Sequence, residues 1–168
     1  FSDSDYDASY DAATASTINL SGSSATVSGD GVEVSGSVVT ISAEGTYIVS
    51  GSSENVQIVV NAADSAKVQL VLDNANMTGN NAAISVQEAD TVTVTLAEGS
   101  KNSISDSASN SNDEEDAAIF SKSDLVFNGS GSLSVKGQYN NAIESNDSLR
   151  ITGGDYSIES VGDGLNAK

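Results

Sequence analysis

The chain has 168 residues, 38% of them apolar, and carries 24 acidic against 6 basic side chains, for a net charge of −18. That charge excludes nucleic acid and an anionic membrane surface as partners, because both are held through Lys and Arg. His and Cys are absent, which removes a disulfide scaffold, thiol catalysis and the commonest zinc and copper ligands.

Pro is also absent, and the Val, Ile, Leu and Ala residues are separated by Gly, Ser, Asn, Asp and Thr. That composition favours short strands joined by tight turns. In chain order, Phe1 to Ala15 is an acidic N-terminal arm with Asp3, Asp5, Asp7 and Asp11 beside Tyr6 and Tyr10. It is either a flexible leader or an arm that pairs elsewhere. Strands are predicted at Thr17 to Leu20, Ala25 to Val27, Val32 to Val34, Val38 to Ile41 and Thr46 to Val49, as an N-terminal cap and first coils reaching to about residue 50.

The second half repeats. Ala83-Ile84, Ala118-Ile119 and Ala142-Ile143 each open a short strand that runs to a turn acid, at Asp90, Asp124 and Asp147, and Gly164-Leu165 opens a fourth. A second strand follows each acid (Val92 to Leu96, Leu125 to Phe127, Leu149 to Ile151), then a Gly-containing bend and a third strand such as Ser132 to Val135 or Tyr156 to Ile158. Ile84 to Ile119 is 35 residues, Ile119 to Ile143 is 24 and Ile143 to Leu165 is 22. The polar stretch Ser105 to Glu115 is an inserted loop, and its removal restores the period. Three strands in roughly 20–25 residues is one turn of a solenoid. The expected fold is therefore all-β, a right-handed parallel β-helix over residues 16–168, with Ile84, Ile119, Ile143 and Leu165 as an inward ladder at ~4.8 Å spacing. An antiparallel sandwich uses similar strands, but recurrence of the Ala-Ile…Asp unit favours the solenoid. The chain ends inside a repeat, so further coils or a partner are expected there. No secretory leader or membrane-length apolar run is present, as expected of a mature secreted product.

Chemistry-bearing residues are mostly oxygen donors. Asp113, Glu114, Glu115 and Asp116 are consecutive carboxylates whose repulsion a hard cation such as Ca²⁺ would relieve, with Asn110 and Asn112 alongside; otherwise they are a solvated loop. The turn acids Asp90, Asp124 and Asp147 are expected to stack along the coil, as cation ligands or as turn caps. Asn141, Glu144 and Asp163 make a third oxygen set. For sugars, Tyr139 in a polar bend is the best stacking platform, with Asn140, Asn141 and Lys122 as hydrogen-bonding neighbours, while Tyr47 and Tyr156 alternate with apolar residues and are expected to pack. Lys122 is also the best base for a Ca²⁺-assisted polysaccharide lyase, the minor reading.

Several motifs carry a family likeness: Tyr6-Asp7-Ala8-Ser9, Thr46-Tyr47-Ile48-Val49-Ser50-Gly51, Val68-Gln69-Leu70-Val71-Leu72-Asp73 and Asn81-Ala82-Ala83-Ile84. The most specific are Ala117-Ala118-Ile119-Phe120-Ser121-Lys122 and Tyr139-Asn140-Asn141-Ala142-Ile143. Over roughly Asp5 to Lys168 the chain resembles secreted bacterial carbohydrate-binding domains with a right-handed parallel β-helix, similar in shape to pectate lyases. The likeness is to the N-terminal part of typical members. It implies calcium binding and affinity for cellulose-like and pectin-like polysaccharides, without demonstrated catalysis. The leading expectation is a non-catalytic, extracellular or cell-surface, calcium-dependent polysaccharide-binding module. The alternative is a structural subunit of an extracellular filament or surface layer, polymerised through solenoid ends or the arm.

Overall fold

A computed structural model describes residues 1–168. One short helix, α1 (Asp3–Tyr6), precedes strands β1 (Ser16–Gly22), β2 (Ser24–Ser28), β3 (Val32–Ser35), β4 (Val38–Ile41), β5 (Gly45–Glu54), β6 (Gln57–Asn61) and β7 (Lys67–Thr78). The chain continues through β8 (Ile84–Glu88), β9 (Thr91–Leu96), β10 (Lys101–Ser105), β11 (Ala117–Ser121) and β12 (Asp124–Gly129). It ends with β13 (Ser132–Gly137), β14 (Asn141–Ser145), β15 (Leu149–Ile151), β16 (Asp155–Ser160) and β17 (Leu165–Ala167). The molecule is nearly all-β, and from β4 onward its strands pair in parallel within two hydrogen-bonded sheets.

The pairing describes a coil with three lateral faces. The first is built from the leading halves of β5 and β7, then β9, β12 and β15. The second is built from the trailing halves of β5 and β7, then β10, β13 and β16. The third stacks β4, β6, β8, β11, β14 and β17. β5 and β7 serve two faces because their backbones bend at Gly51 (φ 89°) and Asn74 (φ 57°), left-handed conformations suited to Gly and Asn.

Side chains alternate across each strand, so every second residue faces the interior. On the third face Val39, Ile58, Ile84, Ile119, Ile143 and Leu165 lie in register, and all but Leu165 are fully buried. The expected ladder is therefore present and extends two coils further back. On the first face Tyr47, Leu70, Val94, Phe127 and Ile151 form a second ladder. Tyr47 and Tyr156 pack as expected, their hydroxyls donating to the Ala43 and Gly153 carbonyls, each at 2.6 Å. Each buried Val, Leu, Ile or Phe contributes about 1.5–3 kcal/mol of transfer free energy. Stacking is what removes this surface from water, since a single coil encloses too little.

The five early strands all appear. β1–β2 and β3–β4 pair antiparallel, so β2 and β3 run backwards as a reversed half-coil over the first complete turn. β10 has almost no apolar signature, since Asn102 and Ser103 leave Ile104 as its only aliphatic residue, and the trailing half of β7 buries only Ala75 and Met77. The turn-acid stack requires a correction. Asp124 is in register with Thr91, whereas Leu125 pairs with both Val92 and Leu149, so Asp90 and Asp147 lie one residue earlier than Asp124. Asp124 opens β12 itself, whereas Asp90 and Asp147 lie in the corners before β9 and β15. Asp124 instead accepts the Ser148 N–H at 3.2 Å and pairs with Arg150 at 3.3 Å.

Candidate functional site

The outer surfaces of the three faces differ. On the first face Val71, Thr95, Val126 and Asn128 point outward yet are at most 1% exposed. The N-terminal arm covers them. Asn128 Nδ2 donates to the Asp5 and Asp7 carbonyls at 3.3 and 3.0 Å, Thr152 Oγ1 to the Asp5 carbonyl at 2.6 Å, and Gln69 Nε2 to the Ser9 carbonyl at 3.3 Å. The Asp5 carboxylate pairs with Arg150 Nε at 3.2 Å.

On the third face the outward row Val59, Ser85, Phe120, Glu144 and Asn166 is covered in its middle by the segment 106–116 between β10 and β11. Phe120 packs with Ala82 and Ala117 in a small apolar cluster separate from the main core. Glu115 accepts the Ser85 hydroxyl at 2.6 Å and the Asn112 amide at 3.0 Å, and also meets the Gln87 amide. Asp106 is buried and anchors the start of the segment, accepting the Gln138 N–H at 2.7 Å.

The four consecutive carboxylates do not converge. Asp113 accepts the Tyr139 hydroxyl at 2.5 Å, Asp116 accepts the Asn140 amide, Glu115 turns inward onto Ser85, and Glu114 is exposed. The bond from Tyr139 to Asp113, followed by burial, pushes the tyrosine pKa up. Nowhere do three or more acidic side chains assemble in a metal-holding group.

At the start of β14, however, a polar corner gathers candidates from three stretches of chain. Asn141 is buried; its amide nitrogen donates to Glu144 Oε2 at 2.6 Å and its oxygen accepts the Asp163 N–H at 2.8 Å. Glu144 is 1% exposed and also receives Lys168 Nζ at 2.7 Å, a bond that raises the lysine pKa. Gly162 lies so close to the Asn140 and Asn141 side-chain oxygens that a Cβ there would meet them at 2.2 and 2.8 Å. The corner thus brings together Asp113, Asp116, Tyr139, Asn140, Asn141, Glu144 and Asp163. Lys122, Asp124 and Asp147 stand at the opposite end of the same face, past Ser121 and Ser145, and Lys122 has no acidic partner within ion-pair range. Arg150, Asn128 and Gln69 were not legible as functional in the sequence, because their role depends on an arm more than 50 residues away in the chain.

The second face has no cover. Its outward row Ser52, Asn76, Ser103, Ser134 and Ser157 is in register through five coils, and beside it runs a row of Glu54, Thr78, Ser105, Lys136 and Glu159. None of these ten is buried.

A profile for a family described as carbohydrate-binding domain-containing protein matches residues 35–168. A carbohydrate-binding domain-containing protein of Acetivibrio thermocellus is 32% identical over 121 residues, covering 68% of this chain and 42% of its own length. The structure of a polysaccharide lyase-like protein from C. thermocellum, solved as a gadolinium derivative, superposes with a TM-score of 0.80 at 30% identity. The match covers 84% of this chain and 60% of that one. The chain therefore spans less than half the length of the curated relative and about three fifths of the solved one.

Proposed function

The chain belongs to this carbohydrate-binding domain family, and on that premise we propose that it is a non-catalytic, extracellular polysaccharide-binding module built on a right-handed parallel β-helix. About 98% of parallel crossover connections wind right-handed, which supports the hand. The observation that carries the function is the family match joined to a long uncovered polar face. Catalysis has little support: Lys122, the best base, is exposed and remote from the polar corner. A glycan array tests the reading, with binding to at least one plant or microbial polysaccharide as the expected result. No binding to any glycan, with or without millimolar Ca²⁺, would remove it.

Calcium dependence is part of the proposal. The β14 corner holds oxygen donors of the kind a hard cation takes: the Asp116 carboxylate beside the Asn140 amide, and the Asn141 amide oxygen beside the Asp163 backbone, over buried Glu144. The row of Asp124 and Asp147 fits less well, being out of register, with Asp124 already engaged by Arg150. Bound at the β14 corner, the ion would neutralise the Asp116 carboxylate and hold segment 106–116 and the β13–β14 bend in one arrangement. Loss of glycan binding in EGTA, restored by Ca²⁺, is the expected readout.

A further inference from the structure

We propose that the glycan lies along the second face, parallel to the coil axis, and that it is a linear, uncharged polysaccharide. The inference rests on the carbohydrate-binding reading and gives it a location. Exclusion comes first. The first face is occupied by the chain's own arm, and the middle of the third by segment 106–116, with Val71, Thr95, Phe120 and Ser85 buried beneath them. The reversed strands β2 and β3 close one end. The second face alone offers an unobstructed lateral surface through five successive coils.

The face is also built for such a ligand. Its central row is four serines and one asparagine, all short polar side chains, and Ser103 Oγ donates to Asn76 Oδ1 at 2.8 Å, which orients that pair. Hydroxyls and amides both donate and accept, which matches sugar hydroxyls. Rungs recur every ~4.8 Å, so the row reaches roughly 20 Å, presenting one polar group for about each sugar of an extended chain.

The edge of the face is hollowed. Lys136, Gly137, Gln138, Glu159, Ser160 and Val161 line a depression of 410 Å³. A second of 240 Å³ shares Gln138 with it and runs along Glu54, Thr78 and Ser105. A third of 230 Å³ shares Asn55, Gly79 and Asn80 with the second. Together they make a trough beside the serine row, following the axis.

Charge selects the ligand. The molecule carries −18, and Glu54 and Glu159 stand at the two ends of the adjoining row against one cation, Lys136, so a uronate polymer is repelled unless its carboxylates are neutralised. Lys136 and Glu159 are neighbours in register, but the three ion pairs of the molecule involve neither, which leaves both free for hydroxyls. Without an aromatic platform, recognition here is by hydrogen bonding, direct or through water.

The test is a Ser134→Lys/Ser157→Glu double variant. These residues are outward partners on adjacent strands, so opposite charges placed there attract, and the variant fills the last two of the row's five rungs without disturbing the core. Affinity for a panel of cellulose, soluble β-glucan and polygalacturonate is measured for wild type, the double variant and Glu33→Gln in the cap. Amide chemical-shift mapping with the bound oligosaccharide supplies a readout independent of the variant. The expected result is binding of a neutral glucan, shifts confined to Ser52, Asn76, Ser103, Ser134, Ser157 and their neighbours, and at least a tenfold loss in the double variant alone. Wild-type binding with an unaffected double variant and shifts elsewhere overturns the location while leaving the module reading intact. Preference for polygalacturonate, or self-association through this face, overturns the ligand class. Failure of wild type on every glycan overturns the module reading itself.

Discussion

Gly129 shows how far a single position commits this fold. It ends β12 at φ 90°, and a Cβ there would meet the Leu96 carbonyl oxygen of the preceding coil at 2.2 Å. Gly51 holds the equivalent relation to Leu20, at 2.3 Å, where the coil first turns between faces. At both corners the backbone must turn left-handed while pressed against the rung beneath, and only Gly satisfies both demands. Gly129→Ala is expected to destabilise by more than ~1 kcal/mol, since strain and a backbone clash add. Thermal unfolding followed by circular dichroism checks this; an unchanged melting temperature would mean that the corner relaxes. The inward Ile residues were legible in the sequence because their neighbours Ala and Asp recur with them. Gly129 was legible only as part of a bend, because its close approach is to a residue 33 positions earlier.

At the scale of elements, the coils were readable and their covers were not. A solenoid strand announces itself by alternation: Ser132-Leu133-Ser134-Val135 puts Leu133 and Val135 inside. The arm has no such pattern, since it binds through backbone carbonyls to Asn128, Thr152 and Gln69, and carbonyls are identical in every residue. Its one specific handle is Asp5. The Ser2 N–H bond lowers the Asp5 pKa, burial opposes this, and the Arg150 charge adds to the lowering, leaving the group below its ordinary 3.8. A carboxyl depressed in the folded state contributes stability that is fully present above its unfolded value and is lost as pH falls through its folded one. The arm should stay docked from neutral pH down to about pH 4 and loosen below that. Asp5→Asn should free it at pH 7, broadening or shifting the Asn128 side-chain amide signals by NMR while the β11 and β14 amides stay fixed. An Asn128 signal insensitive to both acid and Asp5→Asn would show that the backbone contacts alone hold the arm.

For the whole molecule, −18 on 168 residues is a self-repelling charge that folding concentrates. The Asp113 to Asp116 run was readable as a cluster, yet the fold divides it among Tyr139, Asn140 and Ser85 and builds its polar corner instead from residues 22 to 47 positions apart, from Asp116 to Asn141 to Asp163. Simple salt relieves the general repulsion by screening. A cation that binds only the folded state adds stabilisation by mass action, ~2.7 kcal/mol at a hundredfold excess over its dissociation constant. Ca²⁺ should therefore raise the melting temperature well beyond ionic-strength-matched NaCl. Mg²⁺ should do less, because it gives up its waters reluctantly and demands stricter octahedral geometry. Asp116→Asn with Asp163→Asn removes two carboxylates from the β14 corner while keeping the hydrogen-bonding shape, and should abolish most of the Ca²⁺-specific increment. The same increment surviving in that variant but lost in Asp124→Asn/Asp147→Asn would move the ion to the opposite end of the third face. Equal melting temperatures in Ca²⁺, Mg²⁺ and NaCl would leave screening as the whole effect, with the acidic surface serving only to keep the molecule dispersed.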